Sequence, residues 1–357
     1  MKKTNSRKNP VFYNTEIGKL LEEWFFYECG NLSSSTRNNY VSKARIIDRY
    51  FKKIKIKNID HDRIIKYVMY QGREYSNKTI NETFIVLRGI FKRARRQRLI
   101  DFDPMAEIEN LRVYDDEAEP FTKSEIASII KACDQSMQAE IALFKLGCMT
   151  GLRISELLAL DWENVDFTRR RIRVSRAKVE GKLKITKTKA SRRHVNLIND
   201  AFETLKDLYE VTGYAKPRTY KVFYSSDKSR NKKLRLVFIN TITKRPICNE
   251  SHYGKYFFKP TLAKAGVYYR GPSHTRHTFA SQMLTAGIPI KKIANDMGHT
   301  STQMIYKHYG KWIDEDAPQY IDQAETQFDG VFTDKRTNKF FGMPAENGCS
   351  IERKNSA

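Results

Sequence analysis

Residues 272–312 constrain this chain more than any other stretch, because chemically active side chains recur there at short intervals. The stretch reads PSHTRHTFASQMLTAGIPIKKIANDMGHTSTQMIYKHYGKW. Its active residues follow in the order His274, Arg276, His277, His299, Tyr306 and Tyr309. A helix from about Pro289 is predicted to end at Gly298, because glycine is common just past a helix end. We interpret the stretch as one site in which arginine and histidines surround a tyrosine.

The net charge indicates the class of partner. The chain has 65 Lys and Arg against 41 Asp and Glu, a net charge of +24. Residues 1–114 hold 24 of the basic and 13 of the acidic residues, so they carry +11 and the remainder carries +13. Basic charge on both halves fits a protein that holds a polyanion between two lobes. The alternative is a basic protein without a nucleic-acid partner.

The cysteines and the N-terminus indicate the compartment. The cysteines are odd in number and widely scattered: Cys29, Cys133, Cys148, Cys248 and Cys349. No pair has CxxC spacing, so we expect neither a disulfide framework nor a metal site, and the pattern fits a reducing cytoplasm. The basic N-terminus lacks the apolar segment of a signal peptide. No run approaches the roughly 20 apolar residues of a membrane helix.

Residues 14–110 are predicted to form a helical domain after a disordered basic arm over 1–13. Apolar residues at helical spacing predict four helices, one from Glu16 and the others over about 36–51, 61–71 and 77–97. The end of the fourth helix, residues 91–98, is dense in Lys and Arg without an acid in the run, which favours phosphate contact over a merely solvated face. Pro104 ends the unit. The acidic residues 111–120 are the expected linker.

Residues 121–312 are predicted to form a second, mixed domain. An N-cap signature at Thr122 opens it. The expected helices cover about 123–133, 138–149, 200–211 and 253–265, and alternating residues predict antiparallel strands near 172–174, 183–185 and 194–197. Lys187 and Lys189 lie in the turn before the third of these strands. The polar, basic residues 216–233 show no clear pattern, and 236–239 is a candidate short strand.

Arg153 and Glu156 lie three residues apart in the sequence TGLRISEL, so they share one helical face. One interpretation is an ordinary surface ion pair. The other is an arginine that a carboxylate holds so that its guanidinium points into a site.

Several separated motifs together resemble the tyrosine recombinases, the phage integrase family. They are TGLRISEL at 150–157, RHTFAS at 276–281 and MGH at 297–299, with Tyr309 in the expected window. The phrase TINETFIVLRGIFKRARRQRLIDFDP at 79–104 also resembles the core-DNA-binding domain of that family. The resemblance covers roughly residues 14–312. It implies a mainly α fold with a small antiparallel β-sheet, in which two domains clamp duplex DNA as a C.

The resemblance implies site-specific recombination through a 3′-phosphotyrosyl intermediate, without metal or other cofactor. Tyr309 would attack the phosphodiester, and Arg153 and Arg276 would bind its oxygens. Arginine suits this role because it stays charged and donates two parallel hydrogen bonds to phosphate. By family position Lys187, with Lys189 as the weaker candidate, would protonate the leaving 5′-oxygen, and His299 would donate to the phosphate. Glu156 would orient Arg153.

Two positions leave alternatives open. The family usually has histidine three residues before the second arginine, but here Ser273 stands there and His274 lies two before Arg276. Residues i and i+2 of a helix do not share a face, so His274 takes part only if this segment is still a loop. Tyr306 is the rival nucleophile, although the Tyr-Gly-Lys-Trp setting favours Tyr309.

The family resemblance implies partners for this chain and leaves two alternative functions open. Expected partners are duplex DNA at specific core sites, a homo-tetramer on two paired sites, and accessory DNA-bending or directionality proteins. A membrane is not expected, and the place of action is the cytoplasm at the nucleoid. The segment 313–357 is a free tail or, over 314–327, an element exchanged between subunits. The rival functions are a type IB topoisomerase and an inactive, integrase-derived DNA-binding protein.

Overall fold

The computed structural model describes residue 12 and residues 15–30, 32–114, 119–186, 191–225 and 228–309, with only the backbone described for 307–309. Within these residues the fold is mostly helical with two small sheets, so the predicted fold class is confirmed. Two large, separate apolar cores form, one in the N-terminal part and one after residue 119. None of the described helices has the length and apolar character needed to span a membrane.

Four helices build the N-terminal unit: α1 (Glu16–Tyr27), α2 (Ser34–Phe51), α3 (His61–Gln71) and α4 (Asn77–Arg96). Each begins after a side chain that accepts a hydrogen bond from its first turn: Thr15, Ser33, Asp60 and Ser76. Their apolar faces meet in one core. Phe12 belongs to that core and stacks on Phe25, although the sequence analysis assigned it to the disordered arm.

The basic end of α4 is only partly available to a polyanion. The guanidinium of Arg93 donates to Glu23 of α1 at 2.7 Å and lies over the ring of Tyr27. Arg96 is 3.9 Å from Glu28. The run holds no acid of its own, but Glu23 of the first helix and its C-cap Glu28 partly balance its charge. Lys92 and Arg95 are exposed.

The second unit contains the remaining α-helices of the described residues. These helices are α5 (Lys123–Ala132), α6 (Gln138–Thr150), α7 (Ile154–Leu157), α8 (Asn199–Thr212), α9 (Glu250–Tyr253), α10 (Lys259–Lys264), α11 (His274–Thr285), α12 (Ile290–Met297) and α13 (Gln303–Tyr309). A π-helical stretch, Gly254–Phe258, joins α9 to α10, so the predicted helix near 253–265 is one continuous helical run. Most of α6 is buried, as its apolar sequence predicts.

Two sheets lie in the second unit. Strands β1 (Val165–Asp166), β2 (Arg171–Val174) and β5 (Arg193–Asn196) form an antiparallel sheet, and β3 (Arg176–Val179), β4 (Lys182–Ile185), β6 (Arg218–Phe223) and β7 (Ser229–Leu234) form the other. In the second sheet β4 and β6 are parallel, and the remaining pairs are antiparallel. The patternless residues 216–233 thus fold as a hairpin. Residues 236–239 form isolated bridges and no strand.

The two units touch through the β3–β4 hairpin. At its tip Glu180 accepts a hydrogen bond from Asn38 of α2 at 3.0 Å. Lys184 of β4 donates to the hydroxyl of Ser34 at 3.1 Å. These contacts place the N-terminal unit beside the strands that precede Lys187.

We expect Gly89→Ala to destabilise the N-terminal unit. A methyl group at position 89 would lie 2.3 Å from the indole Nε1 of Trp24, which is buried, so α1 and α4 must move apart. Such overpacking costs about 1–3 kcal/mol. Gly72→Ala is the matched control, because the nearest atom to a methyl group there is 3.4 Å away. Urea unfolding should show a lower free energy of unfolding for Gly89→Ala only. Equal stability of the two variants would contradict this packing.

Candidate active site

The site begins where α6 ends at Gly151. This residue has a φ of +63°, the left-handed conformation that favours glycine. The Phe279 ring packs so closely that a β-carbon on Gly151 would lie 2.3 Å from it. The turn therefore requires glycine, and it aims the Gly151 carbonyl at Arg276.

Arg153 stands at the N-cap of the short helix α7, with an extended backbone. Its backbone N–H donates to Glu156 Oε2 at 3.1 Å, and its Nη1 donates to Oε1 of the same carboxylate at 3.1 Å. The predicted pairing is present, but it closes a helix cap and does not run along a helix face. The Arg153 side chain is 45% exposed, whereas Glu156 is 3% exposed. The carboxylate thus fixes a guanidinium that solvent reaches.

Glu156 holds a second arginine that sequence reasoning missed. Arg193 of β5 donates from Nη2 to Oε2 at 2.9 Å and from Nη1 to Oε1 at 3.3 Å, a two-pronged pair. Its side chain is 8% exposed. Thirty-seven residues separate the partners, so no local spacing could reveal the pair.

Arg276 is the most deeply placed guanidinium of the predicted set, at 6% exposed. Its Nη1 donates to the Gly151 carbonyl at 2.5 Å, and its Nη2 donates to His299 Nε2 at 2.6 Å. His299 follows Gly298, whose φ of +71° ends α12. The structure therefore brings together three of the separated motifs.

His274 points elsewhere. The backbone of Ser273 is already helical, and the N–H of Arg276 bonds to its carbonyl. The Nδ1–H of His274 donates to the Gly271 carbonyl at 3.1 Å, and its ring lies beside His277. Burial lowers the pKa of His274, and the nearby charge of Arg270 lowers it further, while the hydrogen bond to Gly271 opposes both. His274 is consequently held neutral at pH 7, with its described contacts away from those of Arg276.

The remaining predicted positions lie at or beyond the limit of what the structure describes. Lys187 and Lys189 fall outside the described residues, between β4 and β5. The backbone of Tyr309 ends α13, and its side chain is outside the described part. Tyr306 of the same helix is 65% exposed.

The arrangement suits an anionic ligand. The guanidinium of Arg276 bonds to the Gly151 carbonyl, two residues before Arg153 in the chain, and to His299. Burial would raise the pKa of Glu156, but the hydrogen bond and charge of Arg193 and the charge of Arg153 lower it overall. Glu156 is therefore ionised at neutral pH and balances only part of the surrounding positive charge. Guanidinium groups in such a setting bind phosphate well.

Comparisons with protein families cover both units. The profile of the phage integrase family matches residues 119–314, and that of the phage integrase SAM-like domain matches residues 21–111. The prophage integrase IntR of Escherichia coli K12 is 28% identical over 320 residues, which cover 84% of this chain and 77% of IntR. A XerC-like tyrosine recombinase of Caldanaerobacter subterraneus is 28% identical over 338 residues, covering 84% of this chain and 81% of that protein.

Solved structures share the fold. The Tn1549 transposon integrase in complex with circular intermediate DNA has a TM-score of 0.68 at 19% identity, covering 87% of this chain and 99% of that one. A lambda integrase tetramer bound to a Holliday junction has a TM-score of 0.63 at 17% identity, covering 85% and 81%. At this level of identity the likeness concerns the fold alone.

We expect Glu156→Gln to destabilise the second unit strongly at pH 7. The substitution leaves Arg193 buried without its carboxylate, and breaking such a buried pair costs about 3–5 kcal/mol. Glu163→Gln is the control, because Glu163 pairs with Arg235 at 2.7 Å but is 44% exposed. An exposed pair contributes about 0–1 kcal/mol. Urea unfolding of both variants measures the difference.

The difference between wild type and Glu156→Gln depends on pH. The pKa of Glu156 is lower in the folded protein than in the unfolded chain. The ionised carboxylate therefore stabilises the fold fully above the unfolded-state pKa of about 4.3, and this stabilisation is lost as the pH falls through the folded-state pKa. The difference in unfolding free energy between the two proteins should therefore narrow from pH 7 down to pH 3. A difference in unfolding free energy that stays constant from pH 7 to pH 3 would show that Glu156 is not an ionised partner of Arg193.

Proposed function

Because the chain belongs to the phage integrase family, whose profile spans more than half of it, we propose that it is a site-specific tyrosine recombinase of a phage or mobile element. It cuts and rejoins duplex DNA. The single observation that carries the proposal is the pair of bonds from Arg276 to Gly151 and His299. These bonds join the three motifs that the family resemblance identifies.

The reaction follows from the chemistry of the candidate residues. The Tyr309 hydroxyl gives its proton to solvent water as its oxygen forms a bond to phosphorus, and the bond from phosphorus to the 5′-oxygen breaks. Lys187 gives a proton to that oxygen, which leaves a 3′-phosphotyrosyl ester. Arg153 and Arg276 bind the non-bridging oxygens, whose negative charge grows in the transition state. A second strand's 5′-hydroxyl reverses the step, so bond energy is kept and no cofactor is required.

The proposed partners are duplex DNA at specific core sites, three further copies of this chain on paired sites, and accessory DNA-bending or directionality proteins. The exposed residues Lys92 and Arg95 on the N-terminal unit support contact with the phosphate backbone. The proposed place of action is the cytoplasm, at the nucleoid. A test substrate is the direct repeat in the DNA that flanks the gene, prepared as duplexes with a nick stepped along the repeat.

We expect Tyr309→Phe to abolish the covalent protein–DNA adduct on these nicked duplexes, because phenylalanine lacks the attacking oxygen. Tyr306→Phe is the matched control on the same helix, and it should keep the adduct within a fewfold of wild type. Denaturing gels of labelled DNA measure both. Adduct that survives in Tyr309→Phe and disappears in Tyr306→Phe would reverse the assignment. Relaxation of supercoiled plasmid that lacks the site would instead favour a topoisomerase. Specific DNA binding without any adduct would favour an inactive DNA-binding protein.

The position of the second histidine is tested separately. His274 can contact phosphate only by giving up its bond to Gly271, so we expect His274→Ala to slow adduct formation by less than about tenfold, below the 10²–10⁴-fold range of a proton-transfer group. The adduct rate of Ser273→Ala is measured beside that of His274→Ala, because Ser273 shares a helix face with Arg276. A loss of a thousandfold in His274→Ala would establish His274 as a direct participant.

A further inference from the structure

We propose that Arg193 is a positioning residue that holds three catalytic elements in register. These are the turn at Ser191 just before its own strand, the turn of Arg153 and the helix end before His299. The proposal rests on the proposed function, because it concerns how the groups of that reaction are placed. It adds a residue that none of the sequence motifs includes.

The donors of the Arg193 guanidinium reach acceptors on three different elements. Its Nε donates to the Asp296 carbonyl in the last turn of α12 at 2.6 Å. Its Nη1 donates to the Ser191 carbonyl at 3.3 Å, four residues after Lys187 in the chain. Its Nη1 and Nη2 both donate to Glu156. One rigid, planar group therefore fixes the relative position of all three elements.

The contact with Asp296 completes the end of α12. A helix leaves its last four carbonyls without partners inside the helix. The Ala294 carbonyl accepts from the N–H groups of His299 and Gly298, and the Asn295 carbonyl accepts from that of Gly298. Arg193 supplies the donor for Asp296, the next carbonyl, and places positive charge at the negative end of the helix dipole. The direction in which the chain leaves the helix towards His299 thus depends on Arg193.

The contact with Glu156 sets the position of Arg153. Both carboxylate oxygens take hydrogen bonds from both arginines, so a shift of Arg193 would move the carboxylate and with it the Arg153 guanidinium. Lysine could not replace this arrangement, because all its donors lie on one nitrogen. Arg193 donates from three separate nitrogens, Nε, Nη1 and Nη2.

The first test compares Arg193→Lys with Arg192→Lys, the same substitution at the exposed neighbouring position. We expect Arg193→Lys to bind the core-site duplex within about threefold of wild type but to form adduct about 100-fold more slowly, since a displacement near 1 Å can have that effect. Arg192→Lys should keep the adduct rate within about threefold. Rates are measured at saturating DNA, so that only the bound, folded protein contributes.

The second test separates positioning from general damage to the fold. In a duplex with sulfur in place of the leaving 5′-oxygen, the departing thiolate has a low pKa and needs little help from a proton donor. If Arg193 positions the segment of Lys187, the deficit of Arg193→Lys relative to wild type should shrink at least about tenfold on this substrate. A loss of folded protein would lower both rates equally. If Arg193→Lys does not fold, the pair Glu156→Gln with Arg193→Gln leaves no unpaired buried charge, and its rates are compared with those of Glu156→Gln alone, so that the altered contact with Arg153 is common to both.

The outcomes distinguish this inference from the proposed function. If wild type forms no adduct on any nicked duplex, the proposed function fails. If wild type forms adduct and Arg193→Lys matches Arg192→Lys, the positioning role fails and the proposed function stands. If Arg193→Lys loses equal activity on the oxygen and sulfur substrates, the claim that Arg193 positions the proton donor fails and the proposed function stands.

Discussion

The hydrogen bonds of the Arg276 guanidinium are the interaction on which the rest of the site depends. A buried cation is stable only where its donors find acceptors, and here the acceptors are the Gly151 carbonyl and His299 Nε2. Gly151 can present its carbonyl only in the left-handed conformation, with the Phe279 ring against it. The end of α6, the start of α11 and the end of α12 are thereby fixed relative to one side chain.

Charge imbalance is the second constraint. Glu156 is a buried carboxylate that pairs with both Arg153 and Arg193, so one negative charge faces two positive ones. Like charges at short range repel one another, and the repulsion is relieved when a phosphate supplies negative charge. The 45% exposure of Arg153 leaves that guanidinium accessible to DNA. The fold thus holds part of the site in an arrangement that an anion completes, which is the electrostatic preorganisation that phosphoryl transfer requires.

The sequence predicted those features that depend on neighbouring residues and missed those that depend on distant ones. Helices with apolar faces and N-caps were predicted because their signals lie within one or two turns. The β6–β7 hairpin was missed because most of its side chains are exposed, so its strands show no buried face. Arg193 was missed because its acceptors, Glu156 and Asp296, lie 37 and 103 residues away. The pairing of Arg153 with Glu156 was predicted, but Arg153 lies at the N-cap of α7 and not on a helix face.

The bond between Arg276 and His299 also restricts how the site can act. A guanidinium only donates, so His299 Nε2 must accept and carries no proton in this state. The same atom cannot donate to a phosphate oxygen until Arg276 releases it and a proton arrives. In the proposed reaction, an entering phosphate would offer Arg276 a charged acceptor in place of the imidazole. In the proposed reaction, phosphate binding by Arg276 and the release of His299 Nε2 are therefore coupled.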